Sequence, residues 1–355
     1  LTHFPADEDK TMDLGRLGEE CRRFRELFVS CTPRSLLLLN ETFSTTSFAS
    51  GDSAEELGLP FLALPFVMGM TTDWKRELPS NRQAFAAGWC AGVLLWIKYT
   101  LCGFFIAFVL FVIVAACLQK KPLRLLPLSG CFLLGLLTIS APILLYFLAN
   151  NALDSLWQTY FVNNITLYSP TAGGARGASG GMLETLTGYA GQNPVFVVLL
   201  VIGLVGSFRS SLTEGLFLLC SLLGCFPFIS LGSRPYPYYA FIVAAFTISG
   251  WTPLMRGLSL ILPSRRWISA ALALLLSAGM GVYAYGVSLN TYLLGTDREA
   301  MPQFRFAQLM WEDSTDEEPT LLNYGFLDGG YYLAADSQPV MRFFCTLNND
   351  LPEMK

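Results

Sequence analysis

Two adjacent carboxylates, a lone lysine and an arginine set among tyrosines are the residues of this chain best suited to chemistry. Glu55 and Glu56 stand where an apolar run opens, and Arg234 is followed by Tyr236, Tyr238 and Tyr239. Lys98 is the single charge between Ala84 and Leu118. A carboxylate pair in such a place hydrogen-bonds hydroxyls or orients a base; the plainer alternative is a pair of acids favoured by a helix N-terminus. Lysine offers a compact point charge to an anionic oxygen, or it snorkels to an interface. Arginine clamps phosphate while tyrosine rings stack on a ligand, unless the group is an ordinary aromatic belt. One further acid, Glu41, ends the run SLLLLNE. Four leucines running into an acid have the form of a Walker B strand, where one carboxylate holds Mg²⁺ through water and the next polarises the attacking water.

Composition removes several other chemistries. His3 is the only histidine, which argues against a histidine-based triad or a metal cluster. The nine cysteines lie mostly inside apolar runs without metal-type spacing and read as small apolar residues. A net charge of −4 makes no general case for nucleic-acid binding. Charged residues make up 14% of the 355, where a soluble domain averages about 25%. With a mean hydropathy of +0.46, the chain belongs in a bilayer. It opens on Leu1 and a polar, acidic stretch, which suggests that an N-terminal part is missing.

The elements that would position these residues follow from the apolar runs. A straight helix from Ala84 to Leu118 would be about 50 Å long, well beyond the ~30 Å of bilayer hydrocarbon. The sequence therefore predicts two spans, Ala84 to Ile97 and Tyr99 to Leu118, turning back at Lys98, the first extending back to about Asn81. A single long tilted helix is the alternative. Leu57 to Met70, which contains Pro60 and Pro65, reads as a short, kinked or re-entrant span, followed by Trp74 as an interfacial anchor. Further spans are expected at about Leu128 to Leu148, Pro194 to Phe208, Gly215 to Leu231, Tyr238 to Met255 and Trp267 to Val287. Between them lies a long polar loop, Asn150 to Asn193. Its glycine-rich stretch Gly173 to Gly181 follows no strand and opens no helix, so a flexible loop fits it better than a phosphate cradle.

The expected fold is mainly α: a polytopic transmembrane helical bundle of about seven to eight spans. It carries a short N-terminal α/β fragment, residues 1–50, and a small extracytoplasmic α/β tail, residues 289–355, around the membrane region 51–288. If Lys120, Lys121 and Arg124 face the cytoplasm, alternation places Lys75, Arg76, Arg82, Arg209, Arg256, Arg265 and Arg266 with them. Only Lys98, Arg176 and Arg234 are left in outer loops, so the positive-inside rule favours this topology. The tail, with a helix, a strand TLLNYG and a turn at Gly329 and Gly330, is then outside.

The first fifty residues resemble a known family. LGEECRRFRELF followed by SLLLLNETFSTTSF is similar to the ATPase domain of MutS-type mismatch-repair proteins, in which a signature helix precedes the Walker B strand. The resemblance makes Glu41 the Walker B-like catalytic glutamate, while Asn40 departs from the family's aspartate. No GxxxxGK[ST] loop occurs in the chain, so ATP with Mg²⁺ is not expected to bind, nor is nucleic acid. The change of text at about Ala49 to Asp52 suggests a fusion or a join.

Residues 55–355 resemble a second family, the C superfamily of bacterial integral-membrane glycosyltransferases, related to the polyprenyl-phosphate-dependent arabinose and mannose transferases. The residues that carry this are SAEELGLPF, GWCAGVLLWIKYT, PYPYYAF and PTLLNYGFLDGGYYLAADSQP, in that order. The resemblance implies a multi-pass protein of the bacterial plasma membrane, with membrane lipid as surroundings and a polyprenyl-phosphate-linked sugar as donor. In that setting Glu55 and Glu56 would meet sugar hydroxyls, Lys98 a lipid phosphate oxygen, and Arg234 with Tyr236, Tyr238 and Tyr239 the phosphate and sugar ring. The family's catalytic carboxylate sits in the first outer loop, which would precede Gly51, so a chain that binds without transferring is expected. A transporter is the rival class, but the charges cluster at the ends of the spans rather than in their middle.

Overall fold

The computed structural model describes residues 53–166, 178–229, 236–251, 253–254, 294–314, 319–322 and 329–340, with isolated positions between 271 and 291. Residues 1–50 with Glu41, most of the glycine-rich stretch, Arg234 and most of the last expected span lie outside the described residues. The chain divides into two compact units, residues 1–288 and 289–355. What is described is mainly helical. Among the described residues there is no strand, only an isolated parallel bridge between Leu321 and Pro339.

In the first unit, α1 (Ala54–Thr71) begins where the Ser53 hydroxyl accepts from Glu56 N–H at 3.1 Å. Glu55 and Glu56 thus occupy its first turn, where the helix dipole favours acids. Pro60 and Pro65 stand inside the helix without ending it. The next helix, α2 (Asn81–Ile97), opens with a capping box between Ser80 and Gln83, which explains why it starts at Asn81. Lys98 then adopts an extended backbone that ends α2 and starts a 3₁₀ turn, Tyr99–Cys102, leading into α3 (Gly103–Leu118).

The chain does turn back there. Cys102 lies beside Ala91 of α2, and at the far end of α3 the Gln119 amide donates to the carbonyls of Trp74 and Glu77, which precede α2. After α4 (Leu125–Ala149) come α5 (Ala178–Gln192), α6 (Pro194–Ser210) and α7 (Leu212–Ile229). A 3₁₀ helix, Pro237–Thr247, follows.

Among the described residues three segments are long and apolar enough to cross a membrane: Tyr99–Leu118, Pro122–Ala149 and Leu212–Ile229. A fourth is possible by length if α5 and α6, bent by 103° at Asn193, form one broken span. Their outward faces support the same reading. Leu133, Leu134, Leu137, Leu145 and Leu148 on α4 and Val195, Val198 and Val201 on α6 are all exposed, which suits lipid rather than water.

Contacts between these helices use small residues where backbones meet. A Cβ on Gly88 would stand 1.9 Å from the Phe132 carbonyl oxygen, and one on Gly135 would stand 2.2 Å from that of Phe85, so α2 and α4 touch main chain to main chain. Gly88 and Gly92 form the G-x-x-x-G spacing by which membrane helices pack closely without a hydrophobic driving force. The opposite solution fills the centre. Phe66, Phe104, Phe217 and Phe246 are fully buried against one another, with Trp74 stacked on Phe217.

Four expectations are corrected. Trp74 is buried in this core, its indole N–H donating to Gly69 O at 2.8 Å, and is no interfacial anchor. The loop Asn150 to Asn193 is largely helical where described, with Leu153–Leu156, a π-helix Trp157–Asn163 and α5. Contacts of Tyr160 and Phe161 with Trp96 and Tyr99 hold the first part, a tertiary cause that local polarity concealed. The glycine-rich stretch does open a helix, since α5 starts at Ala178 and continues into MLETL. Finally, the element after Tyr236 opens as a 3₁₀ helix over Pro237–Thr247 and is α-helical only beyond it, at 248–251 and 253–254. At ~2.0 Å per residue the 3₁₀ stretch extends about 22 Å, against about 16 Å as an α-helix, and so reaches from Lys98 to the phenylalanine core.

In the second unit, α8 (Pro302–Asp313) and α9 (Tyr331–Ala335) are joined by the Trp311 indole donating to Ala335 O at 3.1 Å. The expected turn at Gly329 and Gly330 is present. Gly330 has φ +90°, a conformation that side chains rarely adopt.

Candidate functional site

Three of the sequence-selected residues converge. The Lys98 ammonium donates to Glu55 Oε1 at 2.5 Å and lies 3.8 Å from the centroid of the Tyr239 ring. The Glu55 side chain is 2% exposed and that of Lys98 24%. The carboxylate is therefore almost wholly withdrawn from solvent, while the ammonium keeps a partial opening.

The local sequence explains the meeting. Glu55 sits in the first turn of α1, and Lys98 comes directly after the last turn of α2. Because the helices run antiparallel, these two ends are neighbours. Each charge also has the sign its own helix end favours, negative at an N-terminus and positive at a C-terminus. The 3₁₀ helix then brings Tyr239 over the ammonium, adding a cation–π contact.

Tyr236 and Tyr238 continue the cluster outward. Their rings stack with centroids 5.6 Å apart, and Tyr239 meets Tyr238 edge to face at 4.7 Å. Both outer rings are exposed, whereas Tyr239 is half-buried. Glu56 is half-buried in the same turn as Glu55. Arg234, the other expected member, lies outside the described residues.

Thr100, Leu101, Ile229 and Ile242 close the cluster around an internal space of about 10 Å³. That is at most the room one water needs, so nothing larger fits inside without movement. A ligand must instead approach the open side of Lys98 and the exposed tyrosine faces. Of the ammonium's three N–H groups, one is given to Glu55 and the Tyr239 ring shares the charge. Donor capacity remains for an anionic oxygen.

No family model matches the chain, and neither a curated protein nor a solved structure is detectably similar to it.

Residues that sequence reasoning passed over lie beside the cluster. Trp96 donates its indole N–H to Ser140 Oγ at 2.9 Å, tying α2 to α4 just before Lys98. The Tyr160 hydroxyl donates to the Leu95 carbonyl, and burial pushes that phenol up to about 12, so it stays a donor. The only signal for Tyr160 was the aromatic run WQTYF within an otherwise polar stretch.

Proposed function

We propose that this protein is a multi-pass membrane bundle of seven to eight spans that receives the head group of a polyprenyl-phosphate-linked sugar beside Lys98, in the manner of the membrane glycosyltransferases its sequence resembles. The observation that carries the reading is the Glu55–Lys98–Tyr239 cluster, with two exposed tyrosine rings against it. In this reading the open side of the Lys98 ammonium meets a phosphate oxygen, and the Tyr236 and Tyr238 faces stack on the sugar. Glu55 holds the ammonium in place and lowers the cost of keeping it partly buried. Since Glu55 is buried and already paired, its role is to position Lys98 rather than to act as a base. The cluster recognises a donor and does not itself transfer the sugar.

Orientation is part of the proposal. Lys75, Arg76, Arg82, Lys120, Lys121, Arg124 and Arg209 lie at the helix ends remote from Lys98, which fits a cytoplasmic side there and an outer side at the cluster. The transporter reading is less well supported. In α1 to α4, α6 and α7 every Asp, Glu, Lys and Arg is in a first or last turn, and within α1 to α7 only Glu184 of α5 stands in mid-helix, where an ion pathway would place several such charges.

The test is binding of polyprenyl phosphate, bare and sugar-loaded, to the purified full chain. Tighter binding of the loaded form, weakened at least ten-fold by Lys98→Ala and several-fold by Tyr238→Ala, is expected. Tyr238→Ala leaves the ion pair intact, so it reports on the site even if Lys98→Ala disturbs folding. Affinity unchanged in both variants would remove the cluster from any donor site.

A further inference from the structure

At the end of the bundle remote from Lys98, an apolar groove of about 430 Å³ runs between α2, α3 and α4. Phe108, Val112 and Ile113 of α3 face Leu128, Phe132 and Leu133 of α4 across it, and Ser129 is the only polar side chain in the lining. Pro79 and Leu125 place one end of the groove at the helix termini. From Leu125 to Leu133 it follows α4 for about 12 Å, a depth that suits a chain entering along the helices. Water gains nothing in such a space, because a water needs two to four polar partners.

The charged residues around that end are mostly cationic: Asp73 is taken up by Arg76, and Glu77, two residues before Pro79, is the other exposed acid beside the groove. Arg82 lies two residues before Ala84 of the lining, Arg124 directly precedes Leu125, and Lys120 is in the turn between α3 and α4. All three are exposed, and none makes an ion pair among the described residues. Lys121 and Arg76 differ, for Lys121 donates to the Arg76 carbonyl and to Gln119 Oε1, and Arg76 approaches Asp73.

Lys120 also occupies an unusual position. Its backbone is left-handed, φ 57°, and the bonds Lys121 N–H to Ala116 O and Lys120 N–H to Cys117 O form the helix-ending motif in which glycine is the usual residue. A charge stands where local geometry alone favours glycine.

We propose that this groove holds an acyl chain of an anionic phospholipid of the adjacent leaflet, with Arg82, Lys120 and Arg124 around its phosphate. The apolar lining does not by itself select a lipid, since a chain is equally at home in the bilayer. Selection comes from the head group, because each cation near the surface favours an anionic lipid roughly five-fold.

The test titrates the detergent-solubilised full chain with phosphatidylglycerol and phosphatidylcholine of equal chain length and counts retained lipids by native mass spectrometry. One phosphatidylglycerol held in clear preference is expected. Lys120→Gly relieves the backbone and is expected to keep or raise thermal stability while lowering the preference roughly five-fold. A purely structural lysine would not give that split. Adding Arg82→Gln and Arg124→Gln should bring phosphatidylglycerol close to phosphatidylcholine, and filling the groove with Ser129→Trp should reduce retention of both. Equal retention of the two lipids by the native chain would overturn the proposal. So would a preference unchanged in the triple variant, or retention unchanged by Ser129→Trp.

Discussion

The two ends of the bundle treat charge in opposite ways. Around Lys98 one ammonium is drawn inward against a carboxylate and an aromatic face, while around Lys120 and Arg124 the cations are exposed. The contrast follows from what each end encloses. At the first, the buried Glu55 carboxylate is tolerable only because a counter-charge touches it. At the second, the helix ends are tied by neutral bonds, Gln119 to Trp74 and Glu77, and Arg82, Lys120 and Arg124 are left to the surroundings. Charge placed inside a fold is fixed by its partner; charge placed outside is available to a ligand.

The strongest way to break this comparison is Lys98→Met. It strands a buried carboxylate, and we expect a loss of about 3 kcal/mol in denaturant unfolding of the detergent-solubilised protein. The double variant Glu55→Leu with Lys98→Met should recover most of that, since an apolar pair of similar volume replaces a buried ion pair at little cost. A double variant as unstable as the single would mean that packing, not charge, holds this end.

Next in size is Tyr239→Leu, which removes the ring from the ammonium but keeps the apolar bulk. The expected loss is about 1 kcal/mol, and it should fall nearly to zero in the Lys98→Met background. A thermodynamic cycle measured by unfolding decides this. Equal costs in the two backgrounds would show that the ring contact contributes nothing.

At the other end Gln119→Ala should cost about 1 kcal/mol by the same measurement, because it removes three hydrogen bonds that are at most partly shielded from solvent. The smallest effect is expected of Arg76→Gln. Its pair with Asp73 spans 3.9 Å between exposed side chains, and its removal should change stability by less than about 0.5 kcal/mol. If Arg76→Gln cost as much as Lys98→Met, the distinction between the two ends would fail.

Much of the secondary structure around the cluster was legible in the amino-acid order. The excess length of the apolar run from Ala84 to Leu118 required a break, and the one charge in it marked the place, where the structure has extended backbone at Lys98. Ser80 and Gln83 set the start of α2 at Asn81, and Gly330 set a turn. These are local properties, set by a few neighbouring residues and by the solvent each side chain prefers.

What only tertiary structure decided is which ends meet. Glu55 and Lys98 are 43 residues apart, and Tyr239 is farther still. Hydropathy gave no register between α1 and α2, nor did it indicate that the element after Tyr236 would be a 3₁₀ helix long enough to bring a ring over the ammonium. It likewise concealed the π-helix at Trp157–Asn163, which depends on contacts with Trp96 and Tyr99. Periodicity reports the face of a single element, whereas an ion pair between two helix ends depends on the lengths of both helices and of the turn between them. The amino-acid order by itself selected the chemical groups and the solvent; packing of glycine on backbone and ring on ring selected the partners.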